Sequence, residues 1–181
     1  GNTNAYRATA QQFAYDLGTG NLTNTVLLGE VTNVVAASHA FTDIGNDTAW
    51  RFTTFASLAN TNILDKPERI TLTSDSTGTD ILRESLFAYD GNTGNLTQQR
   101  DRICAGSYRT NSFAYDAWGN LNAATNPAGV ITTTVFDSAH RTFPVQQTAG
   151  GSFTSTFSYD VRSGRLLAST DPKGLVSANT Y

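Results

Sequence analysis

The chain has 181 residues and a net charge of −3, with 15% charged residues, below the roughly 25% of ordinary soluble domains. Acidic and basic residues are scattered, which excludes a basic stripe able to neutralise a run of phosphates; no nucleic-acid partner is expected. No apolar run approaches the roughly 20 residues that a membrane-spanning helix needs.

Polar, uncharged residues take the place of the charges: 28 Thr and 15 Asn, with 15 Gly. Threonine suits strands because its branched Cβ packs on a pleated surface. Asparagine and glycine suit turns because both tolerate positive φ. The composition therefore predicts many short strands joined by tight turns. Cys104 stands alone, which excludes an internal disulfide framework and a thiolate metal cluster. It is expected to be a small buried hydrophobe. The chain holds no Met, and Gly1-Asn2-Thr3-Asn4 does not open a signal peptide. It reads as an excised or processed fragment of a longer chain.

In chain order, Phe13-Ala14-Tyr15-Asp16 comes first, followed by Gly20-Asn21-Leu22-Thr23. Residues 24–86 are less regular. Residues 26–28, 31–35 and 50–53 read as strands. Residues 70–73 and 81–86 read as a hairpin around the polar stretch 74–80. The 74 residues from Tyr15 to Tyr89 leave room for three degenerate copies of the first motif with longer loops. Phe87-Ala88-Tyr89-Asp90 then returns with Gly94-Asn95-Leu96-Thr97, and Phe113-Ala114-Tyr115-Asp116 with Gly119-Asn120-Leu121. Val135-Phe136-Asp137 with His140-Arg141 is a weaker copy, and Phe157-Ser158-Tyr159-Asp160 is followed by Gly164-Arg165-Leu166. Asn126-Pro127-Ala128-Gly129 and Asp171-Pro172-Lys173-Gly174 are matching turns between motifs. Tyr181 falls ten residues after Asp171, as Phe136 falls ten after Asn126, so it stands at the Tyr position of a further copy. No helix longer than a turn or two shows the 3.6-residue period.

Each unit has a physical reading. In Phe-Ala-Tyr-Asp the residues alternate between faces, so Phe and Tyr share one. The Asp starts a turn by accepting backbone N–H bonds, and the Gly supplies positive φ. Asn-Leu or Arg-Leu begins the returning strand. Asn-Pro-x-Gly or Asp-Pro-x-Gly then reverses the chain again. The motif residues are expected to be structural: Tyr15, Asp16, Gly20, Tyr89, Asp90, Gly94, Tyr115, Asp116, Gly119, Phe136, Asp137, Tyr159, Asp160, Gly164, Asp171, Pro172 and Gly174. The rings would form an aromatic ladder and the aspartates would fix turns.

These residues resemble the YD-repeat, or Rhs-repeat, family, whose pattern is Tyr-Asp, Gly-Arg/Asn-Leu, then Asp-Pro-x-Gly. The resemblance covers nearly the whole chain and is strongest over 87–181. It implies an all-β fold: an antiparallel β-meander strip, a segment of a hollow Rhs-type β-shell. The domain expectation is one array over 1–181, with irregular copies in 1–86 and regular copies in 87–181. In bacterial Rhs proteins and in the B and C components of Tc toxin complexes such a shell encloses a toxic C-terminal domain; in teneurins a related barrel serves adhesion. The implied function is encapsulation by a secreted or cell-surface bacterial protein. The implied partners are flanking repeats of the parent chain or a companion shell chain, and an enclosed effector. The alternatives are a cell-surface adhesion or carbohydrate-binding module, with Trp50 and Trp118 as contact residues, and an aspartyl-protease-like self-cleaving segment at Asp171–Leu175.

No catalytic, cofactor-binding or metal-binding residue is expected. His39 and His140 lie in different repeats with no Cys or second His nearby. No Gly-x-Ser-x-Gly elbow supports a Ser-His-Asp triad. Asp90-Gly91-Asn92-Thr93-Gly94 opens like a calcium loop but lacks the later bidentate Glu, and reads as a turn. Asn21, Asn46 and Asn95 head Asn-x-Thr sequons, two of them inside the repeat motif.

Overall fold

The computed structural model describes residues 7–35, 37–58 and 62–181; Gly1-Asn2-Thr3-Asn4 lies outside them. The fold is all-β. Its strands are β1 (Ala8–Tyr15), β2 (Leu22–Val35), β3 (Ala40–Asp43), β4 (Ala49–Phe55), β5 (Pro67–Thr73), β6 (Ile81–Tyr89), β7 (Leu96–Cys104), β8 (Ser107–Tyr115), β9 (Leu121–Thr125), β10 (Ile131–Phe136), β11 (Pro144–Ala149), β12 (Phe153–Asp160), β13 (Arg165–Thr170) and β14 (Val176–Ala178). No helix of the structure is long and apolar enough to cross a membrane.

The chain divides into two units. The first is Gly1–Gly94 with Arg100–Tyr108, and the second is Asn95–Gln99 with Arg109–Tyr181. In the first, β1, β2, β4, β5 and β6 follow one another as antiparallel neighbours, and β3 pairs only with β2. In the second, β8 to β14 do the same in strict chain order. Ile131-Thr132-Thr133-Thr134-Val135-Phe136 shows why: a β-branched run alternates between half-buried and exposed, one face against the other.

Neither unit has a conventional core. Among the described residues Val31 is the one buried hydrophobic side chain, at 5% exposure; the buried polar and charged residues are Thr25, Thr71, Thr73 and Glu84. Large apolar side chains such as Phe13, Trp118, Phe153 and Leu175 are more than half exposed. A sheet normally hides one face under a second layer, and the described residues of neither unit include a second layer of strands or helices. Cohesion rests on strand ladders, cross-strand pairs and turns.

A register irregularity recurs beside the motif aromatic. Ala14 pairs with Asn24 but Tyr15 with Leu22, leaving Thr23 over. Asn122 is left over beside Tyr115, Val145 beside Phe136, and Leu167 beside Tyr159. Such a bulge bends the strand and increases local twist. The same signature exposes a hidden copy: Thr54 pairs with Arg69 but Phe55 with Pro67, leaving Glu68 over. Ala56 then stands where the motif Asp should be, and its N–H bonds the Lys66 carbonyl at 2.8 Å, as Asp16 N–H bonds Asn21 and Asp137 N–H bonds Phe143.

Three expectations are corrected. Three copies are expected between Tyr15 and Tyr89, but among the described residues only β4–β5 there has the bulge beside an aromatic, the further bulge at Thr73 having none; a long β2 and the inserted β3 use part of the remaining length. Residues 26–28 and 31–35 are one strand, because Gly29, at φ 64°, takes up a bulge without ending it. Cys104 is exposed, since it ends β7 at the tight turn through Gly106 and no layer lies over it.

Gly119 has φ +86° and open space around its Cα, whereas Gly91 has open space and no positive φ. Gly119→Ala is expected to lower unfolding free energy by about 1–2 kcal/mol through left-handed strain alone, and Gly91→Ala to stay within about 0.5 kcal/mol. Urea denaturation of both variants checks this; equal losses would refute it.

Candidate functional site

The strongest concentration of specific interactions is the row of aspartate turns. Asp16 Oδ1 accepts the N–H groups of Gly18 (3.0 Å) and Thr19 (2.7 Å) and the Thr19 hydroxyl (2.8 Å). Asp90 Oδ1 repeats this with Asn92 N–H (3.0 Å), Thr93 N–H (2.8 Å) and the Thr93 hydroxyl (2.9 Å). Asp116 accepts from Trp118 and Asn120 N–H, both at 2.9 Å. Asp137 accepts from His140, Thr142 and Phe143 N–H. Asp160 takes Arg162 N–H and the Ser163 hydroxyl. Gly20, Gly94, Gly119 and Gly164 each carry positive φ. In the weaker copy Arg141 takes the place of glycine at φ 57°.

These bonds favour the charged carboxylate. The Thr19 hydroxyl and N–H hold Asp16 below the ordinary carboxylate range, and the Thr93 N–H and hydroxyl do so for Asp90. Asp137 lies far below it, through the N–H groups of Phe143 and Thr142. Desolvation pushes Asp116 up, but its bonds from Asn120 and Trp118 outweigh that. The Ser163 hydroxyl and Arg162 N–H lower Asp160.

Two further kinds of bond join one hairpin to the next. Tyr89 donates its hydroxyl to the Pro67 carbonyl at 2.9 Å, and Tyr181 to the Leu166 carbonyl at 3.0 Å. Pro67 pairs with Phe55 and Leu166 with Tyr159, so both acceptors sit opposite the aromatic of the preceding hairpin. The amide of Asn120 donates forward to the Arg141 carbonyl at 2.8 Å, and that of Asn21 to the Leu64 carbonyl. Arg141 and Leu64 each stand two residues before the residue that closes the next turn, Phe143 and Lys66. The Arg141 guanidinium also lies 4.3 Å from the Trp118 ring centre, and Arg165 lies 4.8 Å from that of Tyr181.

An aromatic ladder of motif rings does not describe this arrangement. Motif aromatics of successive hairpins are two strands apart, about 9.6 Å, beyond the 4.5–7 Å at which rings interact. Tyr159 instead stacks on Phe143, a turn residue of the preceding hairpin, with centroids 5.1 Å apart.

Sequence reasoning missed a charge cluster in the first unit. Glu84 is 4% exposed. Its carboxylate accepts Arg69 Nε (2.6 Å) and the Tyr108 hydroxyl (2.7 Å), and Arg69 Nη2 is also 2.6 Å away. Burial pushes the Glu84 carboxyl up, while Tyr108, Arg69 and Arg102 pull it below its usual value. The signal was Glu84 facing Thr71 across β5–β6, with Arg69 diagonal to it, which needs the register to see.

The remaining candidates fall apart in space or into turns. His39 lies in the turn before β3, at φ 54°. His140 Nδ1 is 3.3 Å from Asp137 within its own turn. Among the described residues no group of three His, Cys, Asp or Glu side chains could hold a metal. Asp171 Oδ1 accepts Lys173 and Leu175 N–H at 2.8 Å each. Asn126 makes the same pair of bonds to Ala128 and Val130, so this turn has no need of a negative charge. Trp50 is half-buried and Trp118 is 61% exposed.

Tyr89→Phe and Asn120→Ala each remove a joint bond, Asn120→Ala together with its amide's 3.0 Å bond to Asp116, and are expected to cost about 0.5–1.5 kcal/mol per bond. Because the two joints lie far apart in sequence and share no partner, the double variant should lose the sum to within about 0.5 kcal/mol in chemical denaturation. No loss in either single variant would sink the joint assignment. The depressed aspartates also fix a pH dependence: the unfolded chain binds protons first, so their stabilisation is complete above the ordinary carboxylate pKa. It is lost as pH falls from about 5 down through the lower folded-state values. Denaturation midpoints should be flat from pH 6 to 7 and drop on acidification, with a shallower drop in Asp137→Asn.

No protein-family model matches the sequence, and no curated protein matches it. Solved structures do. A crystal structure of TcdB2-TccC3-Cdc42 matches 91% of this chain at 13% identity with a TM-score of 0.63. The crystal structure of TcdB2-TccC3 without the hypervariable C-terminal region matches 95% at 15% identity (TM-score 0.37, 11% of that chain). A Tc holotoxin pore from Photorhabdus luminescens matches 92% at 12% identity (TM-score 0.30, 11% of that chain). The latter two scores are too low to add weight. The chain spans 8% of the length of the first match, and it shares with that segment an all-β, antiparallel fold.

Proposed function

We propose that this chain is a structural shell segment of a bacterial YD-repeat protein that acts outside the cell and encloses an effector. The observation that carries the reading is the recurrence of one kind of joint: at four places one hairpin bonds its neighbour through a tyrosine hydroxyl or an asparagine amide, each kind at equivalent positions. Such a device extends a sheet by identical steps, and each repeat depends on its neighbours. The fold shared with the TcdB2-TccC3 segment supports it.

Its partners follow from the edges. β1 ends the sheet order of the first unit and β14 that of the second. Open strand edges invite pairing, and flanking repeats of the parent chain or a companion shell chain would continue them. The reading is non-catalytic. The Asp171 carboxylate is engaged with its own turn, in the geometry that Asn126 achieves without charge. A sugar-stacking role for Trp118 is disfavoured because Arg141 already occupies a face of the ring.

Limited proteolysis of the parent polypeptide tests the proposal. Its non-repetitive effector region should resist protease while the repeats are intact, and become cleavable at least tenfold faster when Tyr89→Phe and Asn120→Ala are combined. An effector region cleaved as fast in the intact protein as when expressed alone would refute encapsulation.

A further inference from the structure

The two faces of the first unit treat their arginines differently. On one face of β5 and β6, Arg69 is neutralised by buried Glu84. On the opposite face, Arg51 of β4 pairs in register with Leu72, and Leu72 with Arg83 of β6. Arg51 and Arg83 are both exposed and neither forms an ion pair. With Ile70, Leu72 and Ser85 they line a depression on the sheet face. Ile70 and Leu72 form its apolar floor, and the guanidinium groups stand about 9.6 Å apart at their backbones, two strand spacings. Asp101 accepts the Ser85 hydroxyl at 2.6 Å at one end of the depression.

We infer that this depression is a docking site for a polypeptide segment in which a carboxylate side chain stands beside an aliphatic one. Arginine presents a planar fork that matches a carboxylate in two parallel bonds. Its stem and the Ile70–Leu72 floor favour an apolar neighbour. Charge complementarity selects the acidic group, because among the described residues Arg69 is ion-paired with Glu84 whereas neither Arg51 nor Arg83 forms an ion pair. The inference does not depend on encapsulation, since it concerns one face of one unit whichever way that face is turned.

The test uses the full 181-residue chain and a fluorescein-labelled twelve-residue peptide of alternating Leu and Asp, read by anisotropy. Controls are the same peptide with Asn for Asp and a twelve-nucleotide oligothymidylate. The acidic peptide should bind, at least tenfold more tightly than the Asn peptide, with affinity falling as salt rises. Arg51→Gln with Arg83→Gln should weaken it at least tenfold. The Arg51→Lys and Arg83→Lys pair should retain part of the affinity, and Arg7→Gln, which removes a charge paired with Glu30, should have no effect. Far-ultraviolet circular dichroism confirms that each variant is folded. Equal binding of the Asn peptide, preference for the oligonucleotide, undiminished binding by the double Gln variant, or no binding of the acidic peptide at millimolar concentration would each overturn the inference.

Discussion

The constraint on which the rest depends is the missing second layer. A β-sheet ordinarily gains most of its stability by burying one face, and here only Val31 among the described apolar side chains is buried. What remains is the backbone ladder, cross-strand contact and the chemistry of the turns. That is why aspartate, asparagine, glycine and threonine recur where a globular domain would place Leu and Val. An Asx turn needs no core: its carboxylate satisfies two or three N–H groups that would otherwise face water, and its geometry survives full exposure.

Turns alone would give a string of independent hairpins, and isolated hairpins are marginal in water. The backbone ladder between neighbouring hairpins solves this, and tyrosine hydroxyls and asparagine amides add bonds to the neighbouring hairpin's carbonyls. Each bond is modest, but the pairing of each repeat with its neighbours adds to the stabilisation as repeats are added. Where a copy departs from the motif, another contact appears. Phe136 has no hydroxyl to donate, and at that joint Arg141 stacks on Trp118 and Asn120 reaches the Arg141 carbonyl. Arg165 stands where other copies carry Asn, and it lies over Tyr181.

The Glu84 cluster works by another principle. A carboxylate buried in a sheet interior is costly unless its lone pairs are filled. Glu84 meets Arg69 and Tyr108, so β5, β6 and β8 residues converge on one acceptor. A slip of one residue in β6 would turn Glu84 to the other face, bring Arg83 to the face of Arg69 and leave Arg69 without its partner. The cluster therefore specifies register in the part of the chain where the repeat motif is weakest.

The sequence by itself determined the all-β class, the placement of the strongest copies and the turn residues, because Tyr-Asp, Gly and Pro-x-Gly act locally: their φ preferences and short-range bonds are set within five residues. Phe13 to Asp16 and Phe113 to Asp116 could be read directly for that reason. The tertiary structure decided what depends on partners distant in sequence. The copy at Phe55 carries neither Tyr nor Asp and is recognisable only by the bulge opposite Pro67. Residues 26–28 and 31–35 read as separate strands, yet β1 holds the chain extended through Gly29. The tyrosine hydroxyls, assigned to a ladder of rings, bond carbonyls 15 and 22 residues away. Strand register brings those atoms together, and register is a property of paired strands that no single strand's sequence contains.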